Sequence, residues 1–327
     1  MPSKPDPGAH VLDTVRASCA TVAEGARWVR LRPARLQGYV SELCLERWQR
    51  PVLDPSRHYL GHGDATAGFI LVLDAVNFGS GWSDCLRKKP GGSTYSTIAQ
   101  ALTDHYSAYG PMSAEQLAAL QVADCFRIFD QDPNSKPVGA LMRHFRRSLN
   151  DLGRFLLERH GGAFDRLIRS AGQSAGELVR VLLDMPYYRD VARWNGAPVA
   201  FYKRAQITAS DLYLALEGHG LGRFHDLDRL TAFADNVVPH VLHVDGVLEY
   251  EESLERRIQA GELLPSGSRE EVEIRAGAVH AVERIVAGLH ACGVEVLPMQ
   301  VDVLLWTRGR APRYKDLPRH RTRSIYY

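Results

Sequence analysis

The chain is predicted to be mainly α-helical, with at most a few short strands, and three observations carry that prediction. Capping signatures and glycine stops punctuate long amphipathic segments. Only one run reads like a strand. No strand–helix alternation recurs of the kind that builds a parallel sheet.

In chain order, residues 1–10 read as a loose leader, polar and Pro-rich, and residues 11–327 as one helical domain, either a single body or two intimate lobes. Gly68–Asn77 is a continuous apolar run, which suits a buried strand or an equally buried helix because periodicity does not separate the two. Trp82–Ser93, with Lys88-Lys89-Pro90-Gly91-Gly92, reads as an exposed excursion. Ser113 with Gln116 forms a capping box that opens a helix over Ala114–Phe129, with Leu117, Leu120, Val122 and Phe126 on its buried face. Met142–His160 is amphipathic and stops at Gly161-Gly162. Thr208 with Asp211 is expected to open a helix running to Gly218. Ser268 with Glu271 opens Arg269–Cys292, where Val272, Val279, Val282, Val286 and Leu289 recur at helical spacing and Gly293 ends the run. Leu304-Leu305-Trp306 extends a further apolar segment after Pro298.

Composition narrows the functional classes. Hydrophobic residues make up 45% and charged residues 24% of the 327, as in an ordinary globular enzyme. A formal charge of +2 argues against a nucleic-acid coat or a membrane-surface protein. Basic residues do gather at the end, where Arg308, Arg310, Arg313, Lys315, Arg319, Arg321 and Arg323 meet only Asp316, so a local anion site is expected. Five scattered cysteines without a Cys-x-x-Cys pair support neither a zinc knuckle nor a disulfide framework, and a reducing cytoplasm is the simplest setting. No signal peptide and no apolar run of membrane-helix length is present.

Several motifs fail on their own chemistry. Asp130-x-Asp132-x-Asn134 starts like a calcium loop but has Ser135 and Leu141 where Gly and Glu are needed. Gly91-Gly92-Ser93 lacks phosphate-loop spacing, and His240 with His243 has no third metal ligand. Cys85 and His105 offer a thiol nucleophile by residue type alone.

Charge set among apolar residues is the sharper signal, because a buried charge is costly unless it is paired or functional. Lys203 and Arg204 follow Phe201 and Tyr202, and Asp235 lies between Phe233-Ala234 and Val237-Val238-Pro239. Asp302 lies between Val301 and Val303-Leu304-Leu305-Trp306. Asp235 suits either a helix cap or a desolvated catalytic carboxylate, and Lys203 with Arg204 suits either a solvated helix edge or a phosphate clamp. Phe78, Trp82, Phe233 and Trp306 suit the core or a platform for a planar base.

At these residues the chain resembles the queuosine salvage protein family, the queuosine 5′-phosphate N-glycosylase/hydrolases. The resemblance rests on Leu73-Asp74-Ala75-Val76-Asn77-Phe78 with Trp82, on Phe201–Ile207, on Thr231-Ala232-Phe233-Ala234-Asp235 with Pro239, on Glu271-Val272-Glu273-Ile274-Arg275, and on the closing His320–Tyr327. It spans from about residue 70 to the last residue. Members typically carry a more aromatic stretch in place of Gly79-Ser80-Gly81, and a Tyr and an Asp in place of Val303 and Thr307, which are the positions of base-edge contacts.

The resemblance implies a mostly helical enzyme without metal or other cofactor, distantly similar to helix-hairpin-helix DNA glycosylases. It would hydrolyse queuosine 5′-monophosphate to queuine and ribose 5-phosphate, recovering the base for transfer RNA. Asp235 takes the position of the catalytic carboxylate, and Phe233, Asp302 and His58 those around the base, which Phe233 and Trp306 would then sandwich. Lys203 and Arg204, with Arg321, Arg323 or Tyr327, are the candidates for the 5′-phosphate and ribose. The partner is then a free nucleotide, with no direct nucleic acid and no membrane. Two other readings are a non-catalytic binder of a modified nucleotide or transfer RNA, and a DNA-repair glycosylase. The second calls for a glycine-rich DNA-binding hairpin ahead of Asp235, which the chain lacks.

Overall fold

A computed structural model of the chain describes residues 10–46, 48 and 50–327. Among them are fifteen α-helices and four short strands, so the mainly α expectation holds. Residues 1–9 of the expected leader lie outside the described residues. His10, its last residue, caps the helix Val11–Gly25 by accepting from Leu12 N.

The described chain forms two compact units, each assembled from separate segments. Of the described residues, the first comprises those from 10 to 51, 190–203 and 226–323, the second residues 52–189, 204–225 and 324–327. In the first unit the helix Arg269–Ala291 is buried on nearly all sides, with Val11–Gly25, Pro33–Leu43, Val238–Val244 and Pro298–Arg308 packed against it. Ser268 accepts from Glu271 N as its N-cap, and Gly293 follows its end with φ +79°. A Cβ at Gly277 would lie 3.1 Å from Val29 Cγ1, so a glycine lets the strand Val29–Leu31 come this close. That strand pairs antiparallel with Leu248–Tyr250. A second hairpin, Val191–Trp194 with Ala197–Ala200, turns on Asn195-Gly196, both at positive φ as the tight two-residue turn demands.

The second unit surrounds the helix Asp64–Ala75, and this settles the Gly68–Asn77 ambiguity. The helix satisfies its own backbone groups while Ile70, Leu71, Val72 and Leu73 are completely buried, each contributing roughly 1.5–3 kcal/mol. Lys136–His160, Thr94–Tyr109 and Phe164–Arg169 pack around it. A Cβ at Gly153 would sit 2.4 Å from Ala118 N, so only glycine lets Lys136–His160 approach Ala114–Ala119 so closely.

Three expected boundaries move. The helix expected over Ala114–Phe129 breaks at Leu120-Gln121, because Asp124 Oδ2 accepts from Gln121 N at 2.7 Å and starts a second helix, Val122–Ile128. Cys125 and Phe129 are then the buried residues, while Val122 and Phe126 are half-buried. The helix expected from Met142 begins at Lys136 and does stop at Gly161, which is left-handed at φ 59°. The helix expected to open at Thr208 begins at Lys203, and the Thr208 hydroxyl bonds back to Arg204 O inside it.

Candidate active site

Asp235 sits in the first unit, in the irregular run between Leu230 and the helix Val238–Val244. Its Oδ1 accepts from Val237 N at 2.8 Å and from Val238 N at 3.0 Å, closing the turn that leads into that helix, whose N-cap position is Val237. Pro239 in the first turn has no N–H to be capped. Oδ2 takes part in no hydrogen bond among the described residues. The residue keeps part of its surface open while protein crowds its carboxyl group. Burial raises that carboxyl above the usual aspartate value, opposed by the Lys203 ammonium, the two amide bonds and Arg319.

Asp302 lies on the helix Pro298–Arg308, fully enclosed, with Oδ1 accepting from Phe233 N at 2.8 Å. Burial first, and then the negative charge of Asp235, push its carboxyl well above the ordinary value. Two acids that feel each other in a desolvated setting do not ionise together at low cost. Of the two, Asp302 is pushed up the further, so it holds its proton more readily than Asp235 does.

Lys203 is buried at the start of the helix Lys203–Ala215, where its positive charge acts on both Asp235 and Asp302. The turn that delivers it is tied to Asp190, whose main-chain oxygen accepts from Phe201 N and Tyr202 N and whose Oδ2 accepts from Lys203 N at 3.3 Å. Tyr202 is left-handed, at φ 49°, a conformation that costs a residue with a side chain of order 1–3 kcal/mol and recurs at functional sites. The Asp190 carboxylate also takes both ends of the Arg275 guanidinium, at 3.0 and 2.6 Å, and Arg275 Nε donates to Ala234 O at 3.0 Å.

The remaining expected residues divide between the units. In the first, Trp306 is half-buried one helical turn beyond Asp302, Val303 is half-buried and Thr307 is exposed. Arg321 is half-buried, with its main chain bridged to Leu263 and Leu264, and Arg323 is exposed. His240 and His243 are structural: His240 holds Tyr314 O at 2.8 Å and His243 stacks on Tyr250. Among the described residues no group of three or more His, Cys, Asp or Glu side chains is arranged to hold a metal ion.

In the second unit, Arg204 departs from its expected role. Its guanidinium is buried, donates to Ala75 O at 2.6 Å and to Tyr187 O, and packs against the Phe78 and Tyr188 rings. It ties main-chain carbonyls together and is not placed as a phosphate ligand. His58 is buried with Nδ1 on Asp54 O at 2.8 Å and Nε2 on the Tyr95 hydroxyl at 2.7 Å. A carbonyl only accepts, so Nδ1 carries the proton, and burial lowers the pKa and favours the neutral ring. Tyr327 is buried, and its main-chain oxygen accepts from Gly79 N at 3.1 Å.

Sequence reasoning did not single out Arg319, Asp190 or Arg275 for the site. Arg319 is half-buried and its charge reaches Asp235, but in the sequence it is one of seven basic residues of equal standing. Asp190 bears no local mark at all.

Comparison with known proteins places the chain in a family. Residues 57–327 match the family described as queuosine salvage protein. A queuosine 5′-phosphate N-glycosylase/hydrolase of Sphaerobacter thermophilus is 40% identical over 282 residues, covering 85% of this chain and 86% of that protein. Proteins of the same name from Mus musculus and Bos taurus are 34% and 33% identical over 288 and 340 residues. The first covers 82% of this chain and 83% of its own length, the second 96% and 98%. With a match of that extent and relatives this similar along most of their length, the chain belongs to the queuosine salvage protein family.

Proposed function

We propose that this protein hydrolyses the N-glycosidic bond of queuosine 5′-monophosphate, releasing queuine and ribose 5-phosphate so that the base returns to transfer RNA. The observation that carries this reading is the Asp235–Asp302 pair: one partly shielded carboxyl with an oxygen outside the helix-end bonds, and a second, buried carboxyl that fixes Phe233 N and is pushed well above its ordinary value by burial and by Asp235.

Cleavage of the bond builds positive charge on the ribose ring, and a carboxylate in a desolvated setting stabilises that oxocarbenium-like state more than water would. Asp235 Oδ1 is fixed by two amides, which leaves Oδ2 to face the anomeric carbon. Water supplies the hydroxyl that C1′ gains, and its other proton ends on the departing base nitrogen. A deazapurine lacks the ring nitrogen that purine-cleaving enzymes protonate, so stabilisation of the sugar carries more of the barrier. Protonated Asp302 is suited to hydrogen-bond the base edge, whereas a cationic amine on the base would favour its ionised form, the carboxyl proton leaving to solvent, and pair with the carboxylate. Phe233 and Trp306 flank the base. Lys203 supplies positive charge for the 5′-phosphate, joined by Arg319. The near-neutral formal charge of +2 favours a free nucleotide over nucleic acid as substrate, acted on in the cytoplasm. No helix among the described residues is long and apolar enough to cross a membrane.

The test is incubation of the purified protein with queuosine 5′-monophosphate, followed by chromatography for free queuine and ribose 5-phosphate. Equimolar appearance of both is expected. An intact nucleotide after many equivalents of enzyme-time would defeat the proposal.

A further inference from the structure

We infer that Arg275 and Asp190 are positioning residues of the reaction, a buried strut that sets Asp235 and Lys203 relative to each other; the inference rests on the hydrolase reading above. Arg275 projects from the helix Arg269–Ala291, and its guanidinium makes a two-point bond to Asp190 and a third bond, through Nε, to Ala234 O. Ala234 directly precedes Asp235. Asp190, at the other end of the strut, holds Lys203 N with its carboxylate and Phe201 N and Tyr202 N with its main-chain oxygen. The guanidinium also lies 3.9 Å from the Phe201 ring centroid, and Glu271 adds a carboxylate one turn earlier at 3.6 Å.

Each residue of the Phe233-Ala234-Asp235 run is thus pinned from a different side: Phe233 N by Asp302, Ala234 O by Arg275, and Asp235 Oδ1 by the amides of the helix that follows. The fork of an arginine is what allows one side chain to serve Asp190 and Ala234 at once; a lysine ammonium has no such fixed geometry. A completely buried ion pair is weak support for stability, because apolar residues of similar volume often do as well. Its value here is geometric. Displacing a catalytic group by about 1 Å costs on the order of 100-fold in rate.

The experiment compares the full-length wild type with Arg275→Lys, the apolar pair Arg275→Met/Asp190→Leu, and Glu273→Gln as a control. Glu273 is on the same helix and equally buried, but it holds Trp28 N and the Trp194 indole instead. Three quantities are read: kcat and KM on queuosine 5′-monophosphate, and hydrogen exchange at the Val237 and Val238 amides that Asp235 protects.

Arg275→Lys keeps a partner for Asp190 and loses the branch to Ala234. It is expected to lower kcat about 100-fold with KM within threefold, and to speed exchange at both amides. The apolar pair also releases Lys203 N, so KM rises as well. Glu273→Gln lowers the melting temperature but retains kcat per folded molecule. A folded Arg275→Lys with wild-type kcat and unchanged exchange would overturn the inference, and it decides the matter even where the apolar pair fails to fold. A wild type that releases no queuine defeats the hydrolase reading instead, and the exchange rates alone then judge the strut.

Discussion

The two ends of the short helix Val238–Val244 each carry an aspartate, and the contrast between them separates scaffold from site. Asp245, at the C-terminal end, is surrounded by donors: the Tyr39 hydroxyl at 2.8 Å, the Tyr314 hydroxyl at 2.9 and 3.1 Å, and an Arg313 nitrogen at 2.9 Å. Asp235, at the N-terminal end, has two amides on one oxygen, no hydrogen bond to the other among the described residues, and a second carboxyl close enough to oppose its charge. A satisfied carboxylate holds a fold together. One kept short of partners is available to a substrate.

The most drastic way to break this contrast is Asp235→Asn. The amide oxygen can still accept from Val237 N and Val238 N, so the fold and substrate binding should survive, while kcat falls about 1,000-fold because the negative charge beneath the sugar is gone. In the wild type, kcat should also fall as pH drops through the Asp235 value, which burial places above that of an ordinary aspartate. The mirror experiment is Asp245→Ala, which leaves two tyrosine hydroxyls without their acceptor. A loss of about 3 kcal/mol in denaturant unfolding is expected, with kcat per folded molecule unchanged.

Lys203→Ala comes next: KM for the 5′-monophosphate should rise about tenfold or more while the nucleoside is far less affected, since one charged contact is worth roughly 1.5–3 kcal/mol. Equal changes on both substrates would remove Lys203 from the phosphate.

The smallest expected effect is a gain. Asp302 has a raised value in the folded state, so its burial costs nothing below the unfolded value and increasingly more as pH climbs through the folded one. Asp302→Asn can still accept from Phe233 N, and should raise the melting temperature by about 2 °C or more at pH 8, a gain that disappears toward pH 4. A pH-independent change would place the cost elsewhere.

Much of the candidate site is legible in the sequence, because charge between apolar neighbours is a local signal. That signal marked Asp235 and Asp302, and it marked Arg204 equally, although Arg204 ends on the carbonyls of Ala75 and Tyr187. Sequence shows that a charge is enclosed; the partner's identity comes from tertiary contacts. Asp190 and Ala234 are 85 and 41 residues from Arg275, and nothing local marks either link. In the fold, long amphipathic runs with caps were readable, as Arg269–Ala291 shows. The Gly68–Asn77 run was not, since a surface buried all round erases the period that tells helix from strand. The Asn195-Gly196 hairpin carried a recognisable turn pair, but strands of four residues offer too little alternation to read.

The interleaving of segments has a consequence for biogenesis. The helix Val11–Gly25 lies against both the strand Ala197–Ala200 and the helix Arg269–Ala291, so its apolar face, with Val15, Cys19 and Val22, is fully covered only once residue 291 has been synthesised. At 5–20 residues per second that wait lasts roughly 13–55 s, during which the continuous stretch 52–189 can already begin to collapse. Until then the nascent chain presents an incompletely covered apolar helix face, a natural client for holding chaperones.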